Sequence, residues 1–289
     1  MTAIDEGNLM FVTYNKSTNQ YAIAVRGTYP YFGLALLVDL YEDLDVSHPL
    51  PWQYPPAPGA LVAGGTIDGL NDLIRFTSHG LAFHNFVDSQ IAPSGADIFV
   101  TGHSLGGALT TVLAPWLVYR LSQSNAKNMV MPYSYAGPTA GNAAFASFYT
   151  GLFKSSYRYY NTIDIVPKAW ADLLSIKSLY SSPGPACPWE LKGIIDLISD
   201  WLNGIKVSYT QPNGSGTKSS RNTVTYKRFF CRGPRSARPQ LLFKIVGRSH
   251  SSDPQLRARQ PIQRKGSTMS DAETVPRLWT LHGLLTQIL

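Results

Sequence analysis

Residues 96–124 read ADIFVTGHSLGGALTTVLAPWLVYRLSQS. The opening "ADIFVTG" is a short apolar run of the kind that forms a buried strand. From Leu105 onward the apolar residues fall three and four apart, the spacing of a helix. Between the two lies a serine with a glycine two places away on either side: Gly102, Ser104, Gly106. The five-residue pattern alone says little, because a chain of this length carries it by chance about one time in ten. Its setting says more. A serine where a strand ends and a helix begins is the arrangement of a nucleophile elbow. The turn brings the residues two before and two after the serine close together, and glycine at both places removes the side chains that would clash. The helix N-terminus then directs free N–H groups and its positive dipole end at the point where an oxyanion develops. A phosphate-binding loop would need a lysine after its last glycine, and none stands there.

Downstream the alternation continues. "MVMPYSYAG" reads as a strand, "AGNAAFASFYTGLF" as a helix and "SYRYYNTID" as another strand. That rhythm predicts an α/β fold with a mostly parallel central sheet and helices on both faces. Upstream, "LMFVTY" and "QYAIAVRG" flank the turn-forming "NKSTN", which predicts a hairpin over residues 9–26. Residues 29–65 read as a long irregular stretch with an apolar helix-like piece, "FGLALLVDL", and six prolines, the profile of a lid or functional loop. One helix or two is expected from Thr66 to Val87, with Thr66 as N-cap. "ELKGIIDLISDWLNGI" reads as an amphipathic helix and "SYTQPNGSGTKSS" as a turn or exposed loop.

A serine hydroxyl is a weak nucleophile at neutral pH and needs a base, which in turn needs an orienting acid. On folds of this type the chain order is serine, acid, histidine. Of six histidines only His250 and His282 follow Ser104, so the base must be one of them. His250, in "RSHSSDPQL", is preferred to His282, which sits in an apolar helical pattern. Asp164, at the carboxyl end of the last predicted strand, is the best placed acid, since functional groups of open parallel sheets gather there. Asp172, Asp196 and Asp200 fall on helical patterns and read as surface charges. An oxyanion hole would combine the N–H of Leu105 with a donor from the loop after an earlier strand. "AIAVRGTYP" supplies that loop: Gly27 allows close approach and Thr28 offers an N–H and a hydroxyl.

These residues align with a family. "VRGT" at 25–28, "TGHSLGGAL" at 101–109, "YAGPTAGN" at 135–142 and "YNTIDIVP" at 160–167 occur in order and at compatible spacing, with weaker likeness through "YTQP" at 209–212. The chain resembles the class 3 lipases, the fungal-type triacylglycerol lipase family, and most of all their bacterial branch. The resemblance implies an α/β-hydrolase fold, a lid over an apolar acyl groove, and hydrolysis of acylglycerols or other carboxylic esters without metal or cofactor. It implies Ser104 as nucleophile, Asp164 as triad acid, and Thr28 with Leu105 as oxyanion hole. The chain departs from the family where a helical segment usually precedes the first strand, and where a histidine usually stands just before an aromatic residue near the last helix.

The chain has 289 residues, 44% hydrophobic and 15% charged, a globular composition. No apolar run reaches the roughly 18 residues of a membrane helix. No signal peptide is visible, which makes a cytoplasmic location the default and secretion an option only for an N-terminus already trimmed. Cys187 and Cys231 are too few for a disulfide scaffold; two free thiols are the default reading, with one bridge between them as the alternative. The net charge of +7 is concentrated: residues 227–268 hold eleven lysines and arginines against the single acid Asp253. No nucleic-acid motif accompanies this charge, so a solvated basic segment is expected rather than a nucleic-acid partner. The division is therefore a hydrolase domain over 1–230 and an atypical basic segment over 231–289. The latter looks like an appendage, or like sequence read from a shifted frame. The expected function is a serine ester hydrolase meeting its lipid substrate at an interface. The alternatives are a short-chain or feruloyl carboxylesterase and a catalytically impaired lipid-binding hydrolase fold.

Overall fold

A computed structural model describes residues 9–27, 44–180, 187–213, 218–219 and 243–245. The N-terminal hairpin is present as expected. Strand β1 (Met10–Asn15) pairs antiparallel with β2 (Gln20–Val25), with Met10 opposite Val25 and Asn15 opposite Gln20. In the turn, the N–H and hydroxyl of Ser17 both donate to the Asn15 side-chain oxygen at 3.0 and 2.7 Å. The chain then forms a small hairpin of β3 (Leu50–Gln53) and β4 (Pro56–Val62) and enters helix α1 (Gly64–Arg75). A second small hairpin, β5 (Thr77–Ser78) and β6 (Leu81–Ala82), turns at His79 and Gly80, both with positive φ. A helical run over residues 83–94 leads to the sheet's central strand.

That strand, β7 (Asp97–His103), lies parallel to β2 on one side and to β8 (Val130–Tyr135) on the other. Helix α2 (Leu105–Ser122) connects β7 to β8. Helix α3 (Ala143–Leu152) connects β8 to β9 (Tyr157–Asn161), which is also parallel. Short strands β10 (Lys218–Ser219) and β11 (Phe243–Ile245) flank the sheet, whose order is β10-β9-β8-β7-β2-β1-β11. The four strands β2, β7, β8 and β9 are parallel because each connection between the last three is a right-sized helical crossover. Helix α4 (Trp189–Gly204) follows two 3₁₀ turns, Val166–Lys168 and Leu173–Tyr180.

The alternating pattern of the strands sends Val12, Ile23, Val25, Ile98 and Val100 to one face, where they meet α2, α1 and α3. Helix α2 is buried almost all round, from Gly106 to Leu117. The opposite face carries a ladder of stacked tyrosines: Tyr133 on Tyr157 at 4.6 Å and Tyr135 on Tyr159 at 5.2 Å between ring centroids. A second apolar cluster sits beside the carboxyl ends of the strands. It joins Leu44 and Val46 to Val166, Trp170, Ile176, Ile195, Ile198 and Tyr209, and Leu105 packs against both clusters.

Three local expectations are corrected. Helix α1 starts at Gly64, so Thr66 is fully buried in its first turn and is not the cap. Its entry is fixed by tertiary contacts instead: the Ala63 N–H donates to the Ala140 carbonyl at 2.9 Å and the Gly64 N–H to that of Asp45 at 3.2 Å. Within the stretch read as irregular, residues 50–62 form an ordered hairpin anchored by Trp52. That side chain is 1% exposed and packs against Tyr54 and Phe145. Proline is tolerated there because a two-stranded sheet has two free edges. The apolar piece at 32–40 lies outside the described residues. Finally, in the segment from Ser208 read as a turn or exposed loop, Tyr209 is buried, and its hydroxyl donates to the Val46 carbonyl at 2.7 Å.

Candidate active site

Strand β7 ends at His103 and helix α2 begins at Leu105, so Ser104 alone makes the turn. Its backbone lies at φ 58° and ψ −125°, in the left-handed region that a non-glycine residue rarely enters. The Ser104 N–H donates to the Tyr135 carbonyl at 2.9 Å, and its own carbonyl accepts from Gly107 at 2.8 Å and Ala108 at 3.2 Å. Both backbone ends of the serine are thus tied down, which is what holds an unfavourable conformation in place.

The glycines explain how the turn can be so tight. A Cβ on Gly102 would lie 2.1 Å from the Gly106 carbonyl oxygen, and one on Gly106 would lie 2.3 Å from that of Val25. Upstream, a Cβ on Gly27 would come within 2.4 Å of the His103 carbonyl oxygen. Residue 27 therefore runs directly alongside the turn, as the loop after β2 must if it is to reach the site. One further close approach went unread in the sequence. A Cβ on Gly107 would meet the Cα of Gly137 at 2.8 Å, so the loop after β8 packs onto the first turn of α2.

Leu105, the first helical residue, is half-buried between the two apolar clusters. The first N–H groups of a helix lack an intrahelical acceptor; those of Gly107 and Ala108 donate to the Ser104 carbonyl, and that of Leu105 precedes them at the helix start. Asp164 follows β9 in a turn closed by its N–H on the Asn161 carbonyl at 3.0 Å. Its Oδ1 accepts the Val166 N–H at 3.0 Å. Burial raises the carboxyl above its ordinary value; the Val166 hydrogen bond and the His103 imidazole pull the other way. Asp164 is thus within electrostatic reach of the residue preceding the serine, a proximity the sequence did not reveal. Ser104, Leu105, Asp164 and Gly27 are brought to one end of the sheet. Thr28, His250 and His282 lie outside the described residues, as does Cys231. Cys187 is buried and has no disulfide partner among the described residues. Among the described residues no group of three histidine, cysteine or acidic side chains could hold a metal ion, and no helix is long and apolar enough to cross a membrane.

The model of the class 3 lipase family matches residues 69–173, the span from α1 through the Asp164 loop. The crystal structure of M37 lipase superposes with a TM-score of 0.65 at 31% identity, covering 77% of this chain and 70% of that one. The chain belongs to the class 3 lipase family. Its architecture is accordingly the α/β-hydrolase fold, with the elbow after the central strand. A Caenorhabditis elegans lipase is 38% identical over 71 residues, which is 25% of this chain and 20% of the relative. The Rhizomucor miehei lipase is 30% identical over 122 residues, 41% of this chain and 31% of the relative. The chain thus spans between a fifth and a third of these two relatives.

Proposed function

We propose that this protein is a serine ester hydrolase of the lipase type that cleaves acylglycerols or other carboxylic esters through an acyl-enzyme. The observation that carries the proposal is the backbone of Ser104. A left-handed serine between a parallel strand and a buried helix, with Gly102 and Gly106 in contact, is a conformation with no packing purpose of its own. In this reading Ser104 Oγ gives its proton to a histidine and attacks the ester carbonyl carbon. The tetrahedral oxyanion is held by the Leu105 N–H and by Thr28. The C–O bond then breaks, and the alcohol leaves with the proton from the imidazolium. Water, deprotonated by the same histidine, releases the acid and restores Ser104. Asp164 orients the histidine. Chain order restricts that base to His250 or His282, and the separation from "YTQP" favours His250. No step calls for a metal or cofactor.

Lipid-surface contact is supported by large apolar side chains left open: Ile163, beside Asp164, is 51% exposed, and Leu174, in the 3₁₀ segment Leu173–Tyr180, is 56% exposed. The proline-rich apolar stretch 29–65, read from the sequence as a lid, belongs to the same proposal. A bacterial affinity within the family rests on the quoted motif strings alone. Lipase likeness favours ester hydrolysis over a lipid-binding module, and a chain-length series of p-nitrophenyl esters separates a lipase from a short-chain esterase.

The test is labelling by a fluorophosphonate probe together with p-nitrophenyl ester turnover. Ser104→Ala is expected to lose the adduct and to lower turnover by about 10⁴-fold or more. Equal turnover in the two proteins would overturn the proposal. His250→Ala and His282→Ala, assayed separately, assign the base: the variant that loses both signals carries it.

A further inference from the structure

We infer that Gln211 is a positioning residue for the proposed hydrolase reaction: its side-chain amide clamps the Asp164 loop onto the loop that packs under the Ser104 elbow. This rests on the reading of Ser104 and Asp164 above. The contacts form one continuous line. Gly107, in the first turn after Ser104, packs on Gly137, and the Gly107 carbonyl also accepts the Ser134 hydroxyl at 3.1 Å. The Gly137 carbonyl accepts from Gln211 Nε2 at 3.1 Å. The same Nε2 donates to the Pro167 carbonyl at 3.2 Å. Pro167 follows Val166, whose N–H holds the Asp164 carboxylate at 3.0 Å. One amide nitrogen therefore joins the support of the serine to the support of the acid.

The amide orientation is set by chemistry. Both partners are carbonyl oxygens, so only the NH₂ end can face them, and its two hydrogens suffice for the two acceptors. The segment carrying Gln211 is itself anchored on either side. Tyr209 is tied to Val46, the Thr210 N–H donates to the Gly141 carbonyl at 2.9 Å, and Arg158 donates to the Pro212 carbonyl at 3.0 Å. A second tie joins the same two loops farther from Asp164, where Thr139 Oγ1 donates to the Ala169 carbonyl at 2.9 Å. Gln211 is the tie next to the acid. Small displacements of a catalytic group cost rate steeply, up to about 100-fold for 1 Å.

The experiment uses the full chain and compares wild type with Gln211→Met, Gln211→Glu, Asp164→Asn and Tyr209→Phe. Gln211→Met keeps the side chain's length and loses both donors. Its kcat on a p-nitrophenyl ester is expected to fall roughly 10- to 100-fold with KM little changed. The acidic limb of its kcat/KM profile should move to lower pH, because an acid held less firmly stabilises the imidazolium less. Tyr209→Phe weakens the anchoring of the same segment without touching the clamp. It should lower the melting temperature and leave the pH profile in place. Gln211→Glu, of equal length, provides the same reading if Gln211→Met does not fold, and its carboxylate should cost at least as much rate. An inactive Asp164→Asn beside a Gln211→Met or Gln211→Glu of wild-type rate and profile overturns the clamp alone. A fully active Asp164→Asn overturns the reading of the acid on which it rests.

Discussion

Ser104 stands at backbone angles that cost about 1–3 kcal/mol for a residue with a side chain. Glycine at that position relieves the strain, so Ser104→Gly should raise stability by about 1 kcal/mol in urea unfolding while abolishing fluorophosphonate labelling. The neighbouring glycines behave in the opposite way. Gly102→Ala would force a Cβ against the Gly106 carbonyl, which is backbone and cannot swing aside, so a loss above about 4 kcal/mol or outright insolubility is expected. At Asp164 the sign follows from burial. The folded state holds the carboxyl proton more tightly than the unfolded chain, so the ionised carboxylate destabilises the fold above its pKa. Asp164→Asn should therefore melt higher than wild type at pH 7, and the difference should vanish below about pH 3.5, where both states of wild type are protonated. A lower melting temperature at pH 7 would show that the carboxylate is satisfied in the fold. The elbow was legible from residues 96–124 because its determinants are local: a strand, a helix and two glycines within five residues. Gln211 was not. Its two acceptors lie 74 and 44 residues away in the chain, and a lone glutamine in "YTQP" carries no periodicity or spacing that points to either.

Among the elements, the strands and helices from Asp97 to Asn161 appear where the alternation of strand and helix patterns puts them, since each is long enough for its period to dominate. The hairpin over residues 50–62 was hidden by the prolines at 51, 55, 56 and 58, which ordinarily argue against a strand. What makes it a hairpin is tertiary: Trp52 inserts between Tyr54 and Phe145, and Asn142 binds β4 through the Leu61 N–H at 3.1 Å and the Gly59 carbonyl at 2.9 Å. The same Asn142 caps α3 by accepting the Phe145 N–H at 3.0 Å. Trp52→Ala should cost about 3–5 kcal/mol, the usual penalty for emptying a large aromatic site. A cost under 1 kcal/mol would mean that the hairpin rides on the surface and is not part of the core. Helix α1 teaches the same lesson, because its start is dictated by Ala140 and Asp45, residues no local rule connects to it.

At the scale of the molecule, the serine and the acid are flanked by residues of different apolar clusters. Ser104 sits on the sheet-and-helix core through β7 and α2, whereas Val166, beside Asp164, packs with α4, Trp170 and Tyr209 in the second cluster. Leu105 touches both, and the ties through Gln211 and Thr139 cross between the loops they support. The distance from serine to acid is therefore a property of how the two clusters dock, not of either alone. Such smaller units can open before the main core does. Ile195 is fully buried in the second cluster and away from Ser104 in the chain. Ile195→Ala should cost about 2–5 kcal/mol, borne first by that cluster. In a urea titration, fluorophosphonate labelling of this variant should fall at a lower concentration than the far-UV circular dichroism, which reports the sheet and α2. If labelling and dichroism fall together in both proteins, the clusters unfold as one unit, and the relation of Asp164 to Ser104 is fixed by the fold as a whole.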